Sequence, residues 1–245
     1  MEFTFGIITN GMNDDFLNRI IQSIVNNNIP IYEIIIVGNT KINCNDTINI
    51  IKFNENYKKN WITKKKNLIA MNAKYDNIVM LHDYIELEND WYEGFIKYGN
   101  NFDWCITKIK NNNGSRFRDY TLFPYNVDFS EIKYSPTIID TYFANHCLLP
   151  YNFVNTIKTN KYMYISGSYY VIKKNIATKY LLDEKLVWGQ SEDVEYSKRL
   201  HENGIIIKCN PHSSVTLLKY KESIHWEKEI TPFYLNQFIN YCNNN

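Results

Sequence analysis

The sequence predicts an α/β fold, a single domain in which a mostly parallel central sheet is flanked by helices. Three observations predict it: strand-like apolar runs alternate with helical segments over residues 1–100, polar residues collect where those runs end, and no repeat or linker divides the 245 residues. That length suffices for one α/β domain with a sizeable core.

Phe3 to Thr9 is rich in β-branched and aromatic residues and stops at Asn10-Gly11, so it reads as a buried first strand. Asn13 or Asp14 then caps a helix in which Phe16, Leu17, Ile20, Ile21 and Ile24 recur at helical spacing, ended by an Asn run and Pro30. Glu33 to Val37 is a continuous apolar strand broken at Gly38-Asn39, and strand–helix–strand implies a right-handed parallel crossover. The pattern repeats with a strand at 48–53, a basic helix at 61–73 and an apolar strand at 77–81 that runs into His82-Asp83-Tyr84. Glu86 and Glu88 alternate with apolar residues as a solvated face would, and Asp90 with Glu93 has the spacing of a capping box.

Between residues 102 and 159 the periodicity loosens. Order returns with a strand at 163–173 interrupted by Gly167, a helix at 175–182, and a helix that Ser191 caps and Asn203-Gly204 ends. A strand at 205–207 and a terminal helix at 234–241 complete the chain. Residues 1–100 therefore read as one half of the domain, and residues 101–245 as its other half with the C-terminal segment.

Composition narrows the function. A net charge of +1 gives no global field for nucleic acid or an anionic membrane. Five scattered cysteines without CxxC spacing indicate neither a disulfide framework nor a zinc site. No basic n-region, apolar leader or membrane-length apolar run is present, which leads us to expect a cytoplasmic protein. Twenty tyrosines suit sugar-facing surfaces and equally a tyrosine-rich core.

Two constellations could carry chemistry. Asp83 lies at the carboxyl end of a central strand, where open α/β sheets bind ligands, and one carboxylate there can share a divalent cation with a nucleotide diphosphate. The alternative is that Asp83 merely opens a turn. Further on, Trp188-Gly189-Gln190-Ser191-Glu192-Asp193 sets two acids in the first turn of a helix, where backbone N–H groups favour carboxylates. Helix capping alone also accounts for that pair.

The order of these motifs resembles the GT-A glycosyltransferases, family two above all, and Trp188-Gly189-Gln190-Ser191-Glu192-Asp193 with Arg199 resembles the Trp-Gly-x-x-Glu-Asp block of β-galactosyltransferase-type enzymes. The resemblance covers residues 3–93 and 163–220. It implies a Rossmann-like GT-A domain that moves a sugar from a nucleotide-diphosphate sugar, a UDP-sugar in particular, to a glycan, glycolipid or protein hydroxyl, with inversion. In that reading Thr9, Asn10, Gly11, Gly38 and Asn39 surround the base and ribose. Lys66, with Lys64 and Lys65 as rivals, approaches the diphosphate beside Asn67, and His82, Asp83 and Tyr84 complete the donor side.

Asp193 would be the general base and Glu192 would hold the acceptor, against Gly167, Ser168 and Trp188. Where the family shows Asp-x-Asp, this chain shows His82-Asp83-Tyr84; Mn2+ or Mg2+ would be held by Asp83 with His212 or His225. Two other readings share the fold class. A sugar nucleotidyltransferase would need a glycine-rich, basic loop after the first strand, and Thr9-Asn10-Gly11-Met12-Asn13 is not one. A catalytically inactive relative that binds nucleotide, sugar or protein would retain the fold without the chemistry.

Overall fold

The computed structural model of the protein describes residues 1–122, 147–221 and 229–244. Its centre is an eight-stranded sheet, to which β1 (Phe3–Ile8), β2 (Tyr32–Val37), β3 (Ile48–Ile51) and β4 (Asn77–His82) contribute one half. β5 (Ile85–Leu87), β6 (Trp104–Lys110), β10 (Tyr169–Lys173) and β11 (Ile207–Leu217) contribute the other, in the order β3-β2-β1-β4-β10-β6-β11-β5. β1 to β4 are mutually parallel, β10 is antiparallel to both β4 and β6, and β5 is antiparallel to β11. β6 and β11 pair in parallel, so the sheet is mostly parallel, as expected. β7 (Thr121–Leu122), β8 (Cys147–Leu148) and β9 (Met163–Tyr164) form a small antiparallel sheet.

Helices α1 (Asp14–Asn26), α2 (Ile62–Asn72) and α3 (Trp91–Tyr98) follow the expected positions in the first half. α4 (Ile157–Asn160), α5 (Lys174–Lys179), α6 (Glu192–Glu202) and α7 (Pro232–Asn244) belong to the second. α1 buries Leu17, Ile20 and Ile24, the stripe its periodicity marks out. Under α3 an aromatic cluster of Trp91, Phe95, Phe3 and Phe5 covers one region of the sheet. A second cluster packs Trp104 and Tyr170 against Tyr196 of α6.

Several local expectations are corrected. Asp90 makes no capping bond; its carboxylate accepts from Ser214 Oγ at 3.0 and 3.1 Å, so it ties α3 to β11. Ser191 does not cap α6 with its side chain, because its backbone is left-handed (φ 56°). Glu86 lies within an unrecognised strand, β5, and Glu88, just beyond it, accepts from Thr216 Oγ1. β6 lies inside the stretch that seemed patternless, and β11 is eleven residues long. Pro211 and a bulge between Asn210 and Ser214 hide β11's alternation, and Asn210 Nδ2 is satisfied inside the bulge by Ser213 Oγ at 2.8 Å.

Candidate active site

The carboxyl ends of β1 and β4 are in register, Ile8 opposite His82, which brings the segments after both strands together. Thr9 Oγ1 donates to Asp83 Oδ2 at 2.7 Å and accepts from Gly11 N at 3.0 Å, while Asn13 Nδ2 reaches the same carboxylate oxygen at 3.2 Å. Asp83 is therefore more than a turn opener: two side chains from a distant segment fix one of its oxygens, and Oδ1 has no hydrogen-bond partner among the described residues. These residues line a cleft of about 260 Å³ with Asn10, His82, Tyr84 and Trp188. Gly38 (φ 144°) lies behind it, where an added Cβ would fall 2.2 Å from the Thr9 carbonyl oxygen; the close approach requires glycine. Gly11 and Asn39 touch one another beside the same turn.

α2 divides its lysines between two places. Lys65, only 3% exposed, donates to the Thr9 carbonyl at 2.7 Å, pairs with Glu55 and lines the cleft. Lys66, 1% exposed, does not line it and donates to the Gly167 carbonyl at 2.5 Å. Lys64 pairs with Glu184 at 3.1 Å, half exposed. Of the expected Lys66 and its rival Lys65, it is thus Lys65 that reaches the cleft, since one residue along a helix turns a side chain by about 100°. Asn67 is also reassigned: it exchanges bonds with Leu182 at 2.9 Å each way and donates to Glu184, so it anchors the chain that leads to Trp188. Trp61 Nε1 and Thr63 Oγ1 grip the same chain at Glu184 and Leu186, and Trp188 N donates to the Asn60 carbonyl at 3.1 Å. That leaves the Trp188 ring 57% exposed at the cleft.

The second acidic cluster adjoins the first through the turn before β10. His82 N donates to the Ser168 carbonyl at 3.0 Å, and the neighbouring Gly167 N donates to Asp193 Oδ2 at 2.9 Å. Asp193 Oδ1 accepts from Val194 N at 3.0 Å, and the Tyr164 hydroxyl bonds to the same carboxylate. A Cβ on Gly167 would sit 3.1 Å from Glu192 Oε1 and 3.2 Å from Lys66 Nζ, so backbone, both acids and the lysine meet with no room for a side chain. Burial raises the Glu192 pKa, and the nearby Lys66 ammonium pulls it back down while Asp193 pushes it up. Burial likewise lowers the Lys66 pKa against the attraction of both acids. Ser168 Oγ is held by Ser166 Oγ at 2.9 Å. Arg199, part of the expected block, pairs with Glu195 at 2.6 Å on α6.

Sequence reasoning missed the cations contributed by the end of β11. Lys219 and Lys221 both line the cleft and lie over the Tyr84 ring, 4.5 and 3.9 Å from its centroid. Lys221 Nζ also bonds to the Tyr84 hydroxyl, which in turn lies 3.2 Å from His82 Nδ1. Burial, then the charges of Lys66, Lys221, Lys219 and Lys65, hold the His82 pKa well below its ordinary value, so the imidazole is neutral. No motif marks Lys219 and Lys221; only the pairing of β11 with β5 brings them beside Tyr84.

The described residues do not assemble the expected metal site. His212 lies in the β11 bulge against Gly94 of α3 and is absent from the cleft, because the bulge faces the helix rather than the strand end. His225 lies outside the described residues. Among the described residues no group of three acidic, histidine or cysteine side chains could hold a metal. Asp83 instead shares its cleft with Lys65, Lys219 and Lys221. This donor set does not fit a divalent cation, which takes oxygen ligands and is repelled by ammonium neighbours.

A large central sheet in this order, flanked by helices, is the GT-A fold. The chain is similar over 98% of its length to the structure of GalNAc-T7 with UDP, GalNAc and Mn2+, at a TM-score of 0.59 and 13% identity, covering 47% of that chain. It is similar to S. aureus TarS 1-349 in complex with UDP-GlcNAc, at a TM-score of 0.51 and 12% identity over 92% of this chain and 60% of that one. A further TarS 1-349 structure matches at a TM-score of 0.50 and 12% identity, over 99% of this chain and 64% of the other. The chain thus spans from about half to just under two thirds of the length of these proteins. No family model matches the sequence, and no curated protein matches it. No helix among the described residues is long and apolar enough to cross a membrane.

Proposed function

We propose that the protein is a glycosyltransferase that binds a nucleotide-diphosphate sugar, a UDP-sugar, in the Asp83 cleft and passes the sugar to a hydroxyl acceptor with inversion. The observation that carries this reading is the join between the two clusters: His82 N on Ser168 O, and the adjacent Gly167 N on Asp193 Oδ2. A donor held beside Asp83 would present its sugar toward the carboxylates at Gly167. The similar GalNAc-T7 and TarS structures with UDP and UDP-GlcNAc support the choice of donor class.

In this mechanism Thr9, Asn10 and Asp83 hold the nucleotide, with Gly11, Gly38 and Asn39 shaping the turn behind them. Asp83 Oδ1 is an acceptor for a ribose or sugar hydroxyl. Trp188 offers an exposed ring face to a sugar at the cleft mouth. Asp193 takes the proton from the acceptor hydroxyl as that oxygen attacks the anomeric carbon from the face opposite the leaving diphosphate. Gly167 N and Tyr164 orient the Asp193 carboxylate, and the Lys66 charge opposes the rise that burial imposes on the Glu192 pKa. Residues 1–100 supply most of the donor side, with Trp188, Lys219 and Lys221 added from the second half.

The test is a thermal-shift panel of nucleoside diphosphates and nucleotide sugars, because a ligand that binds only the folded state raises its melting temperature. Uridine diphosphate compounds are expected to raise it, and adenosine compounds not. A panel without any shift would reject the donor assignment and favour a relative that has lost nucleotide binding.

A further inference from the structure

The cleft holds more positive charge than Asp83 balances. Lys65 is already committed to Glu55 and the Thr9 carbonyl, which leaves Lys219 and Lys221 facing the cleft over Tyr84. Tyr84 belongs to the segment His82-Asp83-Tyr84 that stands where the resembled family shows Asp-x-Asp. An aromatic ring there cannot bind a hard cation, but its face holds ammonium groups well. Two lysines within 4.5 Å of one ring repel each other unless an anion joins them.

From this arrangement we infer that Lys219 and Lys221, held on the Tyr84 ring, form a diphosphate clamp that takes the place of a divalent cation in the donor site. The inference rests on the nucleotide-sugar reading above and adds the residues that receive the charged group. Both lysines leave β11 where it pairs with β5, so the clamp is carried by the sheet and sits across the cleft from Thr9. A second observation points the same way. With Lys221 donating to the Tyr84 hydroxyl, the phenol proton is directed to His82 Nδ1, and the ring proton of neutral His82 falls on Nε2. Among the described residues that buried Nε2, in a residue that lines the same cleft, has no partner, and leaving such a donor unpaired is costly unless a ligand oxygen meets it. Burial beside Lys219 and Arg118 lowers the Lys221 pKa to about 8, the response of an ammonium group awaiting a counter-charge. In the reaction the clamp would receive the negative charge that the leaving diphosphate gains as the anomeric carbon–oxygen bond breaks, with no proton or redox partner required.

The test is calorimetric titration of UDP, uridine and inorganic pyrophosphate into wild type, Lys219→Met, Lys221→Met and the double variant, each in excess chelator and in manganese. The inference expects UDP to bind in chelator within about threefold of its affinity in manganese. Each single variant should lose roughly tenfold or more for UDP and pyrophosphate, as for hydrogen bonds to charged groups, while uridine is unchanged. Unchanged uridine binding shows that the variants are folded. UDP binding that vanishes in chelator, or is equal in wild type and double variant, overturns the clamp and leaves the nucleotide reading standing. Pyrophosphate binding that the double variant abolishes, with UDP no tighter than pyrophosphate, keeps the clamp and overturns the nucleotide reading.

Discussion

The backbone N–H of Gly167 donates to Asp193 Oδ2 at 2.9 Å, while the carbonyl of the same glycine accepts from Lys66. One residue without a side chain thus holds Asp193 and Lys66 in a fixed relation. Gly167→Ala would put a methyl group 3.1–3.2 Å from Glu192, Asp193 and Lys66, tighter than ordinary contact. A shift of these groups by a few tenths of an ångström is expected to lower transfer by roughly ten- to a hundredfold, as misplaced catalytic groups do. UDP affinity should stay within twofold. Steady-state kinetics beside calorimetry check this, and unchanged kcat would show that the Gly167 contact does not position the base.

Asp193→Asn preserves shape and most hydrogen bonds but cannot take a proton. Transfer should fall by roughly two to four orders of magnitude, the span of general-base catalysis. A rate within tenfold of wild type would remove Asp193 from that role.

Lys66→Met leaves Glu192 and Asp193 without their buried counter-ion. Breaking a buried charge pair costs about 3–5 kcal/mol, and at pH 7 the loss should approach the lower figure. The sign of its pH dependence follows from Glu192, whose folded pKa is raised above 4.5. The folded state therefore binds the extra proton, and stability falls as pH rises through the window above 4.5. Removing Lys66 lifts that pKa further and widens the window, so urea melts should show a larger deficit at pH 7 than at pH 5. An equal deficit at both would contradict the coupling.

Lys221 titrates at about 8 in the folded protein against 10.5 for the free side chain, so stability from this group rises with pH between those values. Ligand binding has the opposite slope, because a diphosphate prefers the ammonium form. Tyr84, Lys219, Arg118 and Asp83 all face this group. UDP affinity should decline above pH 8 with proton uptake on binding, measured by calorimetry in buffers of different ionisation enthalpy. Lys221→Met should abolish the uptake.

Thr9→Val deletes the donor to Asp83 Oδ2 and the acceptor for Gly11 N, both near the cleft floor. An unsatisfied buried partner costs about 1–3 kcal/mol, so the melting temperature should fall and UDP affinity with it.

Much of the first half was legible because buried parallel strands are continuous apolar runs and their polar ends mark the ligand side, as Asp83 shows. The second half was less so. β6 and β11 contain Thr107, Lys108, Asn210, Pro211 and Ser213, which break alternation, and their partners bury Thr107, Asn210 and Ser213 only in three dimensions. Two adjacent lysines on α2 were indistinguishable by spacing, yet one lines the cleft and the other supports Asp193. Ser191 and Asp90 fitted capping patterns, but a left-handed backbone and a contact with Ser214 claimed them for other tasks. Lys219 and Lys221 carried no local signal, because their meaning depends on Tyr84, which is far from them in the chain.

The central claim is that one site binds the donor at Asp83 and acts on the acceptor through Asp193. It is tested most directly by measuring UDP release from a UDP-sugar alongside UDP affinity in wild type, Thr9→Val and Asp193→Asn. The account predicts weaker UDP binding in Thr9→Val, and in Asp193→Asn near-normal binding with release reduced at least a hundredfold, within the general-base range. Equal release by wild type and Asp193→Asn, with UDP binding indifferent to Thr9, would contradict it.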